Sequence, residues 1–523
     1  MMHVSQTLEG RHLFVTGATG FVGKVWLSHL LAHVPNVGRV TLLVRGDRGR
    51  TAQARMADVL ATSPAMRPLK ERLGADYASF IAARIDVVAG DVAQPGLGMD
   101  AQTRDALADS VDATLHFAGL TDFQPDPRRG VPANVRGALN VADVVATFRS
   151  PALLHISTCF VAGMAEGNVA ETLRVGHSPL GRPFDPLAEL TALEDLIREV
   201  SDPTERIDRA VARARLLGWP NLYTFTKGLA EHLLAARRDI RLAIARPSVV
   251  ECARTWPFAG WNEGLNTAAP ILWYCGTAFP ELPADSAHLF DVVPVDAVAR
   301  WTSVALAALL AGDGEGVWQF ASSDVNPVTF ERIIELSALE RRRHARRPSA
   351  TLRDQIEAQI DVRGTRWNDL LPLHPEALAS GVGEVVDALR HAEIRTHWPK
   401  PTRWLADAIA PTLAQWRKRA TQSRRSLHQL GKMLDVYRPF LHDHTWVFHT
   451  DRVRAAVQAL DAADVAFADD VRSLDWRQYW MDVQLPGVRR WSFPIMEGET
   501  VADDPPCQPA LTLTCPRTHQ GAA

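Results

Sequence analysis

Tyr223 and Lys227 stand four residues apart in GWPNLYTFTKGLAEHLL, Gly218 to Leu234. On a helix that spacing puts both side chains on one face, a turn apart. A phenol titrates at about 10 and is a poor acid at neutral pH. An ammonium beside it favours the phenolate, lowers that pKa and makes the hydroxyl a usable proton donor. The same lysine can hydrogen-bond a nucleotide ribose and so fix a hydride donor. A third group should sit at the end of an earlier strand and polarise a substrate oxygen. HISTCFVAG, His155 to Gly163, supplies Thr158 and Ser157 at such a strand end. The spacing to Gly163 selects Thr158 as the carbonyl-binding hydroxyl, with Ser157 as the second choice. One of the two is expected merely to cap the strand's backbone. Cys159 is adjacent and invites a covalent thioester. Alternation along the strand end turns it away from Thr158, so a buried, small apolar side chain is the expectation.

A second cluster lies at the start of the chain. The run Leu13–Thr16 leads directly into TGATGFVG, Thr16 to Gly23, with Gly17, Gly20 and Gly23 spaced three apart. The first glycine permits a tight turn out of a strand, the second lets backbone approach a pyrophosphate, and the third lets a helix pack closely on a sheet. The pyrophosphate would rest on the N–H groups and positive end of that helix. Thr16, Thr19 and Phe21 belong to the same cofactor-binding turn. The second apolar run ends in VTLLVRGDRGR, where a binder of unphosphorylated dinucleotide usually carries Asp or Glu for the ribose 2′-OH. Arg45 stands there instead, with Arg48 and Arg50 behind it, and a guanidinium suits a 2′-phosphate. NADPH is therefore expected over NADH. Asp91, at the end of the third run, is expected to hydrogen-bond the adenine. Ala118 and Gly119 in HFAGLTDF are small enough to let a cofactor pass close to the backbone.

The elements that must position these groups are visible as apolar runs at Leu13–Thr16, Val40–Val44, Ile85–Ala89, Ala113–Phe117, Leu153–Ser157 and Arg241–Ala245. Continuous apolarity without alternation marks strands covered on both faces. Helical stretches such as Val25–His33 and Asn134–Phe148 lie between them. Alternating strands and helices imply an α/β fold, a Rossmann-type doubly wound parallel sheet, here expected with six strands. After about Gly260 a smaller substrate-binding portion is expected, including LFDVVPVDAVAR (Leu289 to Arg300) and a buried helix over Trp301 to Gly312. The charged run ERRRHARRP (Glu340 to Pro348) then opens a mostly helical region. The expected boundaries are a dinucleotide-binding domain over 1–330, a helical domain over 331–495 and a floppy tail over 496–523.

With 523 residues, 46% hydrophobic and 22% charged, the chain can bury a sizeable core and is not a disordered protein. A net charge of −3 excludes a generally basic nucleic-acid binder. Five cysteines without a CxxC pair argue against a disulfide framework or a thiolate zinc site and point to a reducing cytoplasm. His442, His444 and His449 lack a completing carboxylate or cysteine set, so no metal is expected. The first residues carry no apolar core of signal-peptide length, and no window reaches the ~18 apolar residues of a spanning helix.

TGATGFVGK, HISTCFVAG, GWPNLYTFTKGLAEHLL, IARPSVVE followed by WPFAGWNEG, and DVVPVDAVA together resemble the extended short-chain dehydrogenase/reductase superfamily. Within it they resemble the fatty acyl-CoA reductases of the male-sterility type. FHTDRVRAAVQAL and DWRQYWMDVQLPGVRRW resemble the C-terminal region of bacterial, alcohol-forming members. Ala162 departs from the pattern, which often has an aromatic residue there. The resemblance implies NADPH-dependent reduction of a long-chain acyl-CoA to a fatty aldehyde and then to a fatty alcohol, with CoA released. It implies that Thr158 and Tyr223 stabilise the developing oxyanion and that no protein nucleophile is needed. The second region would provide the acyl tunnel and CoA entrance. Arg341, Arg342, Arg343, Arg346 and Arg347 would then meet CoA phosphates or an anionic membrane surface, or form a solvated helix face. The expected partners are acyl-CoA and aldehyde substrates, with peripheral membrane contact left open and oligomeric state unread. Two alternatives accompany this reading: a thioester reductase that stops at the aldehyde, on acyl-CoA or a carrier-bound substrate, and a non-catalytic NADPH-sensing protein.

Overall fold

The computed structural model describes residues 1–47, 49–265, 268–276, 281–365, 375–393 and 403–501. Seven parallel strands form one sheet: β1 (His12–Thr16), β2 (Arg39–Val44), β3 (Ile85–Ala89), β4 (Ala113–His116), β5 (Ala152–Ile156), β6 (Arg241–Pro247) and β7 (Gly316–Phe320). Their order across the sheet is β7-β6-β5-β4-β1-β2-β3. The direction of strand order reverses between β1 and β4, and in such sheets ligands bind in the crevice outside the carboxyl ends at that point. All six expected strands are present. β7 is the one that apolarity alone missed, because GVWQF carries a polar Gln319 in its middle. That side chain is fully buried, and its amide Nε2 donates to Val169 O and His449 O, both at 2.9 Å.

Four helices matter for the site: α1 (Phe21–His33), α2 (Gly137–Val145), α3 (Leu222–Ala235) and α4 (Val295–Ala311). One face of the sheet contributes Leu13, Val15, Leu115, Leu154, Ala243 and Ala245 to a core shared with α1 and α4. There Trp26 Nε1 donates to Ser303 Oγ at 3.1 Å. The apolar stretch around Trp301 is thus a buried helix, as its short length requires. The opposite face carries Phe14 and Leu153 under α2 and α3. Burial on both faces explains why the strands read as unbroken apolar runs.

The described residues divide into two compact units, one built from residues within 1–273, 289–328 and 446–501, the other from residues within 274–288 and 329–445. This corrects the expectation of one helical domain over 331–495. Residues from Trp446 onward belong to the first unit, and residues 274–288 to the second. Trp446–Phe448 pairs in parallel with Gly167–Val169. Tyr479 donates its hydroxyl to Cys252 O at 2.7 Å, and Gln484 Nε2 donates to the buried Glu251 carboxylate at 2.6 Å. Asn326 Nδ2 reaches Val471 O and Leu474 O at 2.7 and 2.8 Å. These polar groups were not visible as long-range partners in a sequence read locally. The second unit contains the helices Phe330–Ala345, Pro375–Glu393 and Arg403–Arg438. Within it Arg341 donates to Cys275 O and to Ile360 O, and Arg342 pairs with Asp361. Arg346 and Arg347 are exposed. Of the expected tail, residues 502–523 lie outside the described residues, and Phe493–Met496 is helical.

Candidate active site

Gly17 leaves β1 with φ 77°, and a Cβ there would stand 2.4 Å from Ala118 N at the end of β4. A Cβ on Gly23 would stand 2.5 Å from Gly17 O. Both glycines are therefore demanded by the chain's own packing. Gly20 differs: its Cβ would meet only Gly17 O, at an ordinary 3.4 Å, and the residue is exposed. As N-cap of α1 it offers no side-chain hydrogen bond, and no acidic residue occupies the first turn. The first N–H groups of a 13-residue helix thus face the crevice between β1 and β4 with the positive end of the helix dipole. Thr19 and Phe21 flank this turn half-buried, and Phe21 stacks on Trp261 with ring centroids 5.1 Å apart. The Thr16 hydroxyl is buried and serves the strand ends, 2.7 Å from His116 Nδ1 and accepting from Ala118 N at 3.4 Å.

Arg45 stands at the end of β2 with its side chain 70% exposed, 3.4 Å from Asp91 Oδ2. Asp91 Oδ1 accepts from Ala93 N at 3.0 Å, so much of the aspartate's capacity is spent locally. Arg55, which the sequence reading passed over, donates to Arg45 O at 2.9 Å and fixes this corner. Arg48 lies outside the described residues.

The proposed catalytic groups are positioned by two interlocked turns. Asn221 caps α3 by accepting from Thr224 N at 2.9 Å. Leu222 N and Tyr223 N both donate to Phe123 O, at 3.1 and 3.3 Å. Trp219 Nε1 donates to Val161 O at 3.0 Å, and Met164 N to Gly218 O at 2.8 Å. Gly163 has φ 58° and its Cβ would lie 2.3 Å from Gly218 O, so only glycine lets GWPN dovetail with the turn after β5. The result brings Thr158 near enough to Tyr223 for its hydroxyl to favour the phenolate. Thr158 also accepts from Phe160 N at 3.3 Å. Ser157 Oγ is buried with no hydrogen-bond partner among the described residues. Thr158 therefore joins the phenol while also capping a turn, and Ser157 does neither.

Lys227 comes from the same face of α3, one turn on. Its Nζ donates to Ile156 O at 2.6 Å and lies 3.3 Å from His155 Nε2. A Cβ on Gly119 would lie 4.0 Å from that Nζ and 3.3 Å from Asn134 Oδ1. Asn134, also passed over in the sequence, clamps this stretch: Oδ1 accepts from Leu120 N at 2.7 Å while Nδ2 donates to Leu120 O and Thr226 Oγ1, both at 3.0 Å. One turn beyond Lys227, Glu231 is fully buried and paired with Arg246 of β6.

The electrostatics reverse one expectation. Burial pushes the Tyr223 phenol up to about 12, only partly offset by the Thr158 hydrogen bond. The Lys227 ammonium is turned instead to the β5 carbonyl and His155. Burial brings Lys227 down to about 8, with Glu231 opposing. The phenol is therefore a firmly protonated donor at neutral pH. Cys159 is buried and its thiol is pushed well above the usual range by burial, then by Asp291, which suits the inert role expected of it. His449 Nε2 lies 3.1 Å from Asn168 Oδ1, and His442 beside Asp443.

The family described as "Male sterility protein" matches residues 15–302, more than half of the chain. Fatty acyl-CoA reductase 1 of Arabidopsis thaliana is 27% identical over 504 residues, covering 92% of this chain and 97% of the relative. The alcohol-forming fatty acyl-CoA reductase of Simmondsia chinensis is 27% identical over 514 residues, covering 93% and 98%. Among solved structures, the reductase domain of a non-ribosomal peptide synthetase from Mycobacterium tuberculosis superposes with a TM-score of 0.52 at 17% identity, covering 93% of this chain and 95% of that one. That likeness supports the fold. Among the described residues no helix is long and apolar enough to cross a membrane. A nicotinamide dinucleotide fold, a tyrosine–lysine pair on one helix and these relatives converge: the chain is a reductase enzyme and belongs to the male-sterility-type fatty acyl-CoA reductases of the extended short-chain dehydrogenase/reductase superfamily.

Proposed function

We propose that this enzyme reduces a long-chain acyl-CoA to a fatty alcohol through the aldehyde, with NADPH as cofactor and CoA released. The observation that carries it is the placement of Tyr223 and Lys227 one turn apart on one buried helix, with the Thr158 hydroxyl at the end of β5 near enough to act on the phenol. The crevice residues fit a dinucleotide: Gly20 leaves space where no protein atom requires it, and the uncapped end of α1 favours a phosphate. Gly17, Thr19, Gly20, Phe21 and Gly23 would cradle the pyrophosphate, with Ala118 and Gly119 along the passing cofactor and Lys227 at its ribose. NADPH bound there supplies the hydride.

Thr158 and Tyr223 donate hydrogen bonds to the carbonyl oxygen as negative charge grows on it. Collapse of the tetrahedral adduct re-forms the carbonyl and expels the CoA thiolate, leaving aldehyde. In the second reduction Tyr223 gives its proton to the alkoxide, and its raised pKa keeps that proton in place beforehand. Burial of the alkyl tail at about 0.8 kcal/mol per CH₂ would dominate substrate affinity. A reducing cytoplasm is the compartment in this reading, supported by the unpaired, buried thiols of Cys159, Cys252 and Cys275.

Incubation of purified protein with palmitoyl-CoA and NADPH is expected to consume two NADPH per CoA released and to yield hexadecanol. One NADPH per CoA with accumulating aldehyde would overturn the alcohol-forming step, and NADPH binding without turnover would overturn the enzyme reading. Arg45→Ala is expected to raise the KM for NADPH about ten- to hundredfold while barely changing that for NADH. A charge-assisted contact to a 2′-phosphate is worth roughly 1.5–3 kcal/mol. Equal effects on both cofactors in steady-state kinetics would remove Arg45 from the 2′-phosphate.

A further inference from the structure

Thr16 on β1, His116 on β4 and His155 on β5 are successive register partners, forming a transverse polar row across the carboxyl ends of the three strands. All three side chains are buried. His116 Nδ1 lies 2.7 Å from Thr16 Oγ1, and the two imidazoles stand 5.1 Å apart between centroids, tilted by 37°. The row ends at Lys227 Nζ, 3.3 Å from His155 Nε2. An ammonium has only donors, so that contact requires His155 Nε2 to accept and fixes the ring hydrogen on Nδ1. His155 Nδ1 and His116 Nε2 have no hydrogen-bond partner among the described residues. Leaving polar atoms orphaned in a core is unfavourable, and an aliphatic side chain would fill the space without that cost. What an aliphatic side chain lacks is an acceptor for the lysine.

We propose that His155 is a positioning residue for Lys227, its neutral ring holding one ammonium N–H so that, with Ile156 O taking a second, the third is directed along Gly119 into the cofactor crevice. His116 and Thr16 brace the ring from behind and tie it to the phosphate turn. The charged group that acts on both rings of this row is Lys227 from α3, and the two imidazoles act on one another; Glu231, one turn beyond Lys227, acts on that ammonium and is itself paired with Arg246 of β6. Protonation of His155 would remove the acceptor and set a second cation against the ammonium, and burial opposes that protonation at physiological pH. The inference rests on the functional reading above for the direction of the third N–H.

Two substitutions separate an acceptor from a space-filler. His155→Asn keeps a polar group but is too short to reach Nζ, whereas His155→Gln can place an amide oxygen near the lost Nε2. Without its acceptor the charged lysine is less favoured. The alkaline limb of the kcat/KM–pH profile, set by Lys227, is expected to move down by about one pH unit in H155N and to stay at the wild-type position in H155Q. NADPH affinity, read by nicotinamide fluorescence, is expected to fall several-fold more at pH 8.5 than at pH 6.5 in H155N alone. An unmoved limb and unaltered binding profile in folded H155N would overturn the proposal, as would equal shifts in both variants. If the wild-type protein reduces no acyl thioester, the functional reading falls, and the fluorescence titration by itself still decides the role of His155.

Discussion

Tyr223→Phe is expected to lower turnover by about 10²–10⁴-fold, the usual contribution of a positioned general acid. The substitution removes one oxygen and leaves the ring in contact with Phe123, 6.1 Å between centroids. Leu222 N and Tyr223 N keep their bonds to Phe123 O, so α3 still starts where it does. NADPH binding should therefore stay within about twofold of wild type, while NADPH oxidation with palmitoyl-CoA or with an aldehyde collapses. Single-turnover measurements on both substrates check this. Retention of more than a tenth of wild-type turnover would remove Tyr223 as the proton donor. Loss of the aldehyde step alone would confine its role to the second reduction.

Acid should unfold the first unit steeply. His29, His116, His155 and His232 are buried, and burial is the largest cause holding each below its ordinary value. His232 is brought to about 4 and His116 to about 3, while His29 and His155 lie well below the ordinary range. In the unfolded chain these rings titrate at about 6.5. Below that pH the unfolded state binds more protons than the folded one, so stability is lost as pH falls from about 6.5 towards the folded values. Each ring contributes up to ~1.4 kcal/mol per pH unit, and four together ~5.5 kcal/mol per unit once well below 6.5. A domain holds only about 5–15 kcal/mol in total. Urea midpoints measured between pH 8.0 and 5.0 should fall sharply below pH 6.5. A flat profile across that range would mean that the rings are not buried as neutral groups.

The sheet was legible because double-sided burial leaves an unmistakable mark: a run such as VTLLV has no solvent face to record. The phosphate turn and the Tyr223–Lys227 pair were legible because their spacing is local. What stayed hidden depends on distant partners. Gln319 breaks the apolarity of its strand, and only distant backbone, Val169 O and His449 O, takes up its amide N–H groups. His116 and His155 interrupt apolar runs in plain view, yet only the register of β4 against β5 sets them side by side. Asn134 gave no local signal of its contact with Thr226, ninety-two positions away. The lysine's effect on the phenol was misjudged for a similar reason. Helical spacing places two side chains on one face, but the ammonium's direction is decided by the β5 carbonyl beneath it.

The return of the last described segment to the first unit bears on how the polypeptide is made. The N–H and C=O of Met2 bond to Ala459 O and Asp461 N, at 2.7 and 3.0 Å. Glu251 and Cys252 wait for Gln484, more than two hundred positions downstream. A ribosome that has finished the dinucleotide-binding strands has therefore not yet supplied the pieces that seal their far side. Until synthesis passes Gln484, those buried carboxylate and thiol positions stay open to solvent, and the nascent reductase is at its most vulnerable to proteases and to sticking to its neighbours.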